Sequence, residues 1–107
     1  MGEVVVQRDE ENRIVTLTAR GMEEATGIGS RALHALRAAG VAMTDYLHLA
    51  PDLSEGEEVR LVVDRSDPYL YREIDAIMET LVIDLKLLSR EQPGDLVVHE
   101  DAVGIEV

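Results

Sequence analysis

Residues 66–98 read SDPYLYREIDAIMETLVIDLKLLSREQPGDLVV, and this stretch decides the fold. Ser66 and Asp67 supply the oxygens that cap a helix, and Pro68 suits a first helical position, where an N–H has no partner to lose. Leu70, Ile74, Ile77, Met78, Leu81, Leu85 and Leu88 then recur three or four apart, which lays one apolar stripe along a helix reaching about Gln92. Pro93-Gly94 stops it, and Leu96-Val97-Val98-His99 reads as a strand. A one-faced helix next to a strand implies a sheet for it to lie on.

Toward the N-terminus, residues 57–64 alternate Val59, Leu61 and Val63 as a strand, and residues 52–56 read as a loop. A helix precedes that loop. Ser30 is its expected N-cap, Leu33, Leu36, Met43 and Leu47 follow at helical spacing, and it ends near Pro51. Gly40 is where it would break or kink. Residues 21–29 form a loop with glycine at 21, 27 and 29. Residues 13–19 are a strand with Val15, Leu17 and Ala19 on one face; residues 8–12 are a charged turn, and residues 3–7 a β-branched strand, so the pair makes a hairpin. Residues 104–107 add a short edge strand or a tail. The order is ββαβαβ: an α+β fold with two helices on one face of a four- to five-stranded sheet.

A chain of 107 residues implies one domain spanning 1–107. It has no Phe or Trp and only three Tyr, so Val, Leu, Ile and Met must fill the core. The net charge of −12 repels phosphate backbones and anionic bilayers, which argues against direct nucleic-acid or membrane binding. A basic peptide or protein is the partner such a field attracts. Without cysteine there is no disulfide and no thiolate metal site, which fits a reducing cytoplasm. The start, Met1-Gly2-Glu3-Val4, lacks a signal peptide's basic and apolar regions.

Two segments carry a resemblance. Residues 78–88 followed by Pro93 and Leu96-Val97-Val98, and residues 28–36 (Ile-Gly-Ser-Arg-Ala-Leu-His-Ala-Leu) after the strand at Arg13-Ile14-Val15 and Gly21, resemble the ribosomal-processing cysteine protease (Prp) family. The resemblance implies a small homodimer that trims an N-terminal extension from a large-subunit ribosomal protein. It implies a Cys at the first turn of the first helix, a His just after the glycine that ends the second strand, and a flexible loop between them. Carried across, the His position falls on Met22 and the Cys position on Ser30, and the loop is several residues shorter than the family's. The resemblance thus implies fold, dimerisation and a peptide groove bounded by Met22, Gly27, Gly29 and Ser30, but not the catalytic chemistry.

Ser30 by itself has two readings. As a nucleophile it needs a base, and His34 stands one helical turn on, with Glu23 or Glu24 as an orienting carboxylate. As structure it is a helix cap beside a surface or half-buried histidine. Gly27-Ile28-Gly29 lacks the rest of a phosphate-binding pattern and reads as a tight turn. His34, His48 and His99 are the only histidines; the first two lie about 21 Å apart on a continuous helix, so no metal site is expected, nor any cofactor. The acids Asp9, Glu10, Glu11, Asp52, Glu55, Glu57 and Glu58 are solvated unless several converge on the groove. Tyr69 and Tyr71 open the second helix as interface or part-core residues. The reading that follows is a non-catalytic relative binding a basic, ribosomal peptide or protein; the alternatives are a Ser30/His34 hydrolase and a dimeric interaction module unrelated to ribosomes.

Overall fold

The structure is a computed structural model that describes residues 1–23 and 27–102. Its elements in chain order are β1 (Gly2–Arg8), β2 (Ile14–Arg20), α1 (Ile28–Val41), β3 (Asp52–Glu55), β4 (Glu58–Val62), α2 (Tyr71–Glu91) and β5 (Leu96–Ala102). The sheet order is β3-β4-β2-β1-β5. β5 runs parallel to β1, and the other neighbours are antiparallel. The α+β reading, with two helices on a five-stranded mixed sheet, therefore holds.

The sheet has a strand where the sequence reads as a loop. Residues 52–56, read as a loop, contain β3, which pairs with β4 from Asp52↔Val62 to Glu55↔Val59. Only Leu53 turns toward the core; the other three residues are exposed, as suits an edge strand. The edge strand or tail read at residues 104–107 lies outside the described residues.

Alternation sets the faces. Val4 and Val6 of β1, Leu17 and Ala19 of β2, Val59 and Leu61 of β4, and Leu96 of β5 point under the helices and are buried. The expected inward position of Val15 is taken instead by Ile14, which is fully buried. The register slips between Gln7 and Arg8, pairing Gln7 with Thr16 but Arg8 with Ile14, so Val15 is the extra residue of a bulge. Arg65 reaches back and donates to the Ile14 carbonyl at 2.7 Å through Nη2.

Helix α2 buries Ile74, Met78, Leu81, Val82, Leu85 and Leu88; Val82 joins the expected stripe, while Leu70 and Ile77 are only partly buried. Asp67 accepts the Tyr69 N–H at 3.0 Å and caps a single 3₁₀ turn (Pro68–Leu70) that leads into α2. The Ser89 hydroxyl donates to the Leu96 carbonyl at 2.7 Å, tying the end of α2 to the start of β5. On the same face Arg8 donates to Glu79 of α2 and Glu100 of β5, and Lys86 donates to Glu100.

Helix α1 runs unbroken through Gly40, which is buried with Leu53 and Leu61 as its nearest neighbours. The change of geometry comes after it, where Ala42–Tyr46 widens into a π turn with the Leu47 N–H donating to the Ala42 carbonyl. That turn keeps both Met43 and Leu47 buried. His48 then adopts φ 58°, and the Leu49 N–H returns to the Met43 carbonyl at 2.9 Å, closing the helix before Pro51.

Candidate functional site

The end of the sheet where β2 stops brings together the residues singled out in the sequence. Gly21 takes φ 65°, and its backbone lies so close to the Met1 carbonyl that a Cβ would stand 2.8 Å from that oxygen. The chain then turns inward. Met22 is 4% exposed and belongs to the core, while Glu23 is exposed. Glu24 lies outside the described residues. The Met22 carbonyl presses against Gly29, where any Cβ would overlap it. Close approach of two backbones is the reason glycine stands at 29.

Helix α1 begins earlier than expected. Its N-cap is Gly27, at φ 81° and ψ −60°, a conformation open to glycine, and no side chain caps the first turn. Ser30 is thus the third residue of the helix, not its cap. The cause is Ile28, which is 2% exposed: burying it draws the first turn in ahead of Ser30. Ser30 is exposed, as is His34 one turn on. Both line the groove between the helices, and no hydrogen bond joins them. Met22 faces the core, whereas Ser30 faces the groove. Gly29 is buried between them and Gly27 is exposed.

The acids divide by strand register. Glu55, Glu57 and Glu58 sit at the β3–β4 turn, at the same sheet end as Gly21, since Glu58 pairs with Arg20. Asp52 pairs with Val62 at the opposite end, where the turn carrying Asp9, Glu10 and Glu11 also lies. Asp9 is committed to that turn, accepting the N–H groups of Glu11 and Arg13. At the Gly21 end Arg20 donates to Glu58 at 2.7 Å, with Glu3 at 3.6 Å, and the Glu58 hydrogen bond raises the guanidinium's pKa. The hydrogen bond from Arg37 holds Glu55 below the usual carboxylate range.

The histidines are dispersed. His34 is on α1, His48 follows the π turn, and His99 on β5 faces Glu3 at 3.3 Å. Among the described residues no three His, Asp or Glu gather as metal ligands. Tyr71 is half-buried, with the guanidinium groups of Arg13 and Arg65 at 4.6 and 5.3 Å from its ring centroid and its hydroxyl donating to the Arg65 carbonyl. Tyr69 is 94% exposed.

The sequence reading missed the groove between α1 and α2, about 1120 Å³ in volume. Its lining includes Ala35 and Ala38 from α1, Ala42 from the π turn, and Ile83 and Leu87 from α2. A signal was present: Ile83 and Leu87 lie off the buried stripe of α2, so that helix is apolar over more than the face it buries.

No protein-family model and no curated protein matches the sequence. Solved structures do share its shape. SMU.848 from Streptococcus mutans superposes with a TM-score of 0.84 at 8% identity, over 95% of each chain. The essential ribosomal processing protease Prp from S. aureus, in complex with a substrate peptide, superposes with a TM-score of 0.81 at 16% identity, over 94% of this chain and all of that one. The same protease with a covalently linked product peptide gives 0.80. The chain has a Prp-like fold. Among the described residues no helix is long and apolar enough to cross a membrane.

Proposed function

We propose that this chain is a non-catalytic relative of the ribosomal-processing proteases, a Prp-like domain over residues 1–107 that binds a basic peptide or protein, ribosomal in origin, without cutting it. The observation that carries the reading is that, among the described residues, no hydrogen bond joins Ser30 to a base: Met22 is buried in the core, and His34 makes no bond to the serine. A serine hydroxyl without a base is hardly ionised at neutral pH and attacks amides poorly. At the Gly21 end Glu3 and Glu58 are paired with Arg20 and Glu55 with Arg37, so a cationic ligand is favoured by Glu57 and by the net charge of −12 rather than by a free acidic cluster. The peptide-groove candidates are Met22, Gly27, Gly29 and Ser30, with Met22 and Gly29 acting through backbone and Ser30 through its side chain. No cofactor is invoked. A homodimer and a cytoplasmic protein belong to the same proposal, the first from the sequence resemblance and the second from the cysteine-free composition.

The test uses a basic peptide patterned on a ribosomal-protein extension. Fluorescence anisotropy reports binding, which should weaken as salt rises, and mass spectrometry should recover the peptide intact. Cleavage that Ser30→Ala abolishes would overturn the reading.

A second reading rests on Ser30 and His34 lying four apart on one exposed face. There the pair would hydrolyse a small ester or peptide. Hydrolysis unchanged by His34→Ala removes it. Failure of the chain to travel with ribosomal particles would favour a dimeric interaction module unrelated to ribosomes.

A further inference from the structure

We infer that the outer edge of β5 is a docking site for an extended, basic segment of another protein, which joins the sheet as a further strand beside Val98 and Glu100. The site shares only the charge of its ligand with the function proposed above, since neither residue lines the groove that holds Ser30. β5 stands last in the sheet order and runs for seven residues, Leu96–Ala102. Its pairing fixes which main-chain groups face out. Gly2 pairs with Leu96, and the Gly2 N–H donates to the Asp95 carbonyl at 2.8 Å. In a parallel ladder a residue bonds to the neighbours on either side of its partner, and the partner turns its own N–H and C=O the other way. Val97, His99 and Asp101 therefore bond toward β1, while Leu96, Val98 and Glu100 face outward. The Leu96 carbonyl agrees with this direction, because it accepts the Ser89 hydroxyl of α2 at 2.7 Å. Val98 and Glu100 have no such cap: among the described residues each presents an N–H and a C=O to no partner. Unpaired main-chain groups along a strand edge are a template for an added strand. The opposite edge offers less, since β3 has only four residues.

Side chains along the edge choose the occupant. Even-numbered residues of β5 face the helices and odd-numbered ones the open face of the sheet. Glu100 is already held by Lys86 at 2.6 Å and Arg8 at 2.8 Å. Asp101, on the open face, is exposed and has no ion-pair partner among the described residues. A lysine or arginine of the incoming strand meets Asp101, and an apolar residue on its other face lies beside half-buried Val98. A second copy of β5 would instead bring another acidic strand, on another chain of net charge −12. A basic strand from a different protein is the complement.

The probe is a fluorescein-labelled peptide of about seven residues, the length of β5, alternating lysine and valine so that the lysines fall on the Asp101 side. Fluorescence anisotropy should show saturable binding. Val98→Pro removes an outward N–H that nothing in this chain uses, and should weaken binding by at least about tenfold with the fold intact by thermal melt. N-methylated peptides probe the ladder on the natural chain: methyl groups on one alternate set of peptide nitrogens should abolish binding, and on the other set should leave it within about threefold. Asp101→Asn should weaken binding about two- to fivefold and flatten its salt dependence. No binding, or binding that responds equally to both methylated sets, overturns the proposal. Binding indifferent to both sets but lost in Ser30→Arg also overturns it, and leaves the reading of the Ser30 end standing. Self-association of the chain that Val98→Pro abolishes would give the edge to a second copy and overturn the basic partner.

Discussion

Replacing Met22 by alanine tests whether the family's base position has become part of the core. The side chain is 4% exposed and sits among the buried aliphatics, so the substitution removes three buried heavy atoms and leaves a void. Buried Met→Ala changes cost about 2–5 kcal/mol. Met22 lies where the loop meets the core, and partial collapse there favours the lower part of that range, about 2–3 kcal/mol. Unfolding entropy near 60 °C is about 2.1 cal/mol/K per residue, so a chain of this length loses about 0.2 kcal/mol of stability per degree, and the expected fall in Tm is about 10 °C. Differential scanning calorimetry of Met22→Ala, with Met22→Leu as a volume-conserving control expected to cost less than about 1.5 kcal/mol, makes the measurement. A fall of under about 2 °C for Met22→Ala would mean that the side chain spends its time in solvent. Met22 would then not belong to the core.

Gly29→Ala forces a Cβ into the Met22 carbonyl, backbone against backbone, and is expected to cost more than about 2 kcal/mol in chemical denaturation, whereas Gly56→Ala, with open space around its Cβ, should lie within about 0.5 kcal/mol of the natural chain. Ser30→Cys should give a thiol that reacts with a disulfide reagent in the folded state, because residue 30 is exposed, yet should leave a ribosomal-protein extension peptide uncut in a mass-spectrometric assay. Two carboxylates set an acid limit on stability. Glu100 is held below the usual carboxylate range first by Lys86 and then by Arg8, and Asp64 first by the Ala50 N–H and then by Ser66. A pKa depressed by folding stabilises above the unfolded value of about 4 and loses that contribution as pH falls through the folded one. Urea midpoints should therefore hold from neutral pH to about 5 and fall below about 4, and Glu100→Gln and Asp64→Asn should each flatten that fall.

The helical stripe of α2, the Asp67-Pro68 entry and the two central strands were legible because each follows from a local pattern that packing reinforces. β3 was not. Asp52-Leu53-Ser54-Glu55 has little strand propensity and a single inward apolar residue; it is a strand because β4 supplies a ladder for it, which is a non-local fact. The start of α1 misled for a related reason. Serine is the better cap by propensity, but burial of Ile28 outweighs a capping bond worth about 1 kcal/mol, and glycine at 27 permits the turn that results. The bulge that exchanges Val15 for Ile14 leaves no mark in alternation, since both residues are β-branched and apolar. At the candidate site, the sequence did not reveal that Met22 faces the core and Ser30 the groove. That depends on where the first turn begins.

The parallel pairing of β1 with β5 carries a consequence for how the molecule is made. β1 is synthesised well before its outer neighbour, the pairing beginning with Gly2↔Leu96. At a synthesis rate of roughly 5–20 residues per second, β1 waits on the order of 5–20 s with one edge bare. During that time Val4, Val5 and Val6 form a β-branched run open to pairing with other nascent chains. The abundance of this protein in a cell should therefore depend on what shields that edge during translation, as well as on the stability of the finished fold.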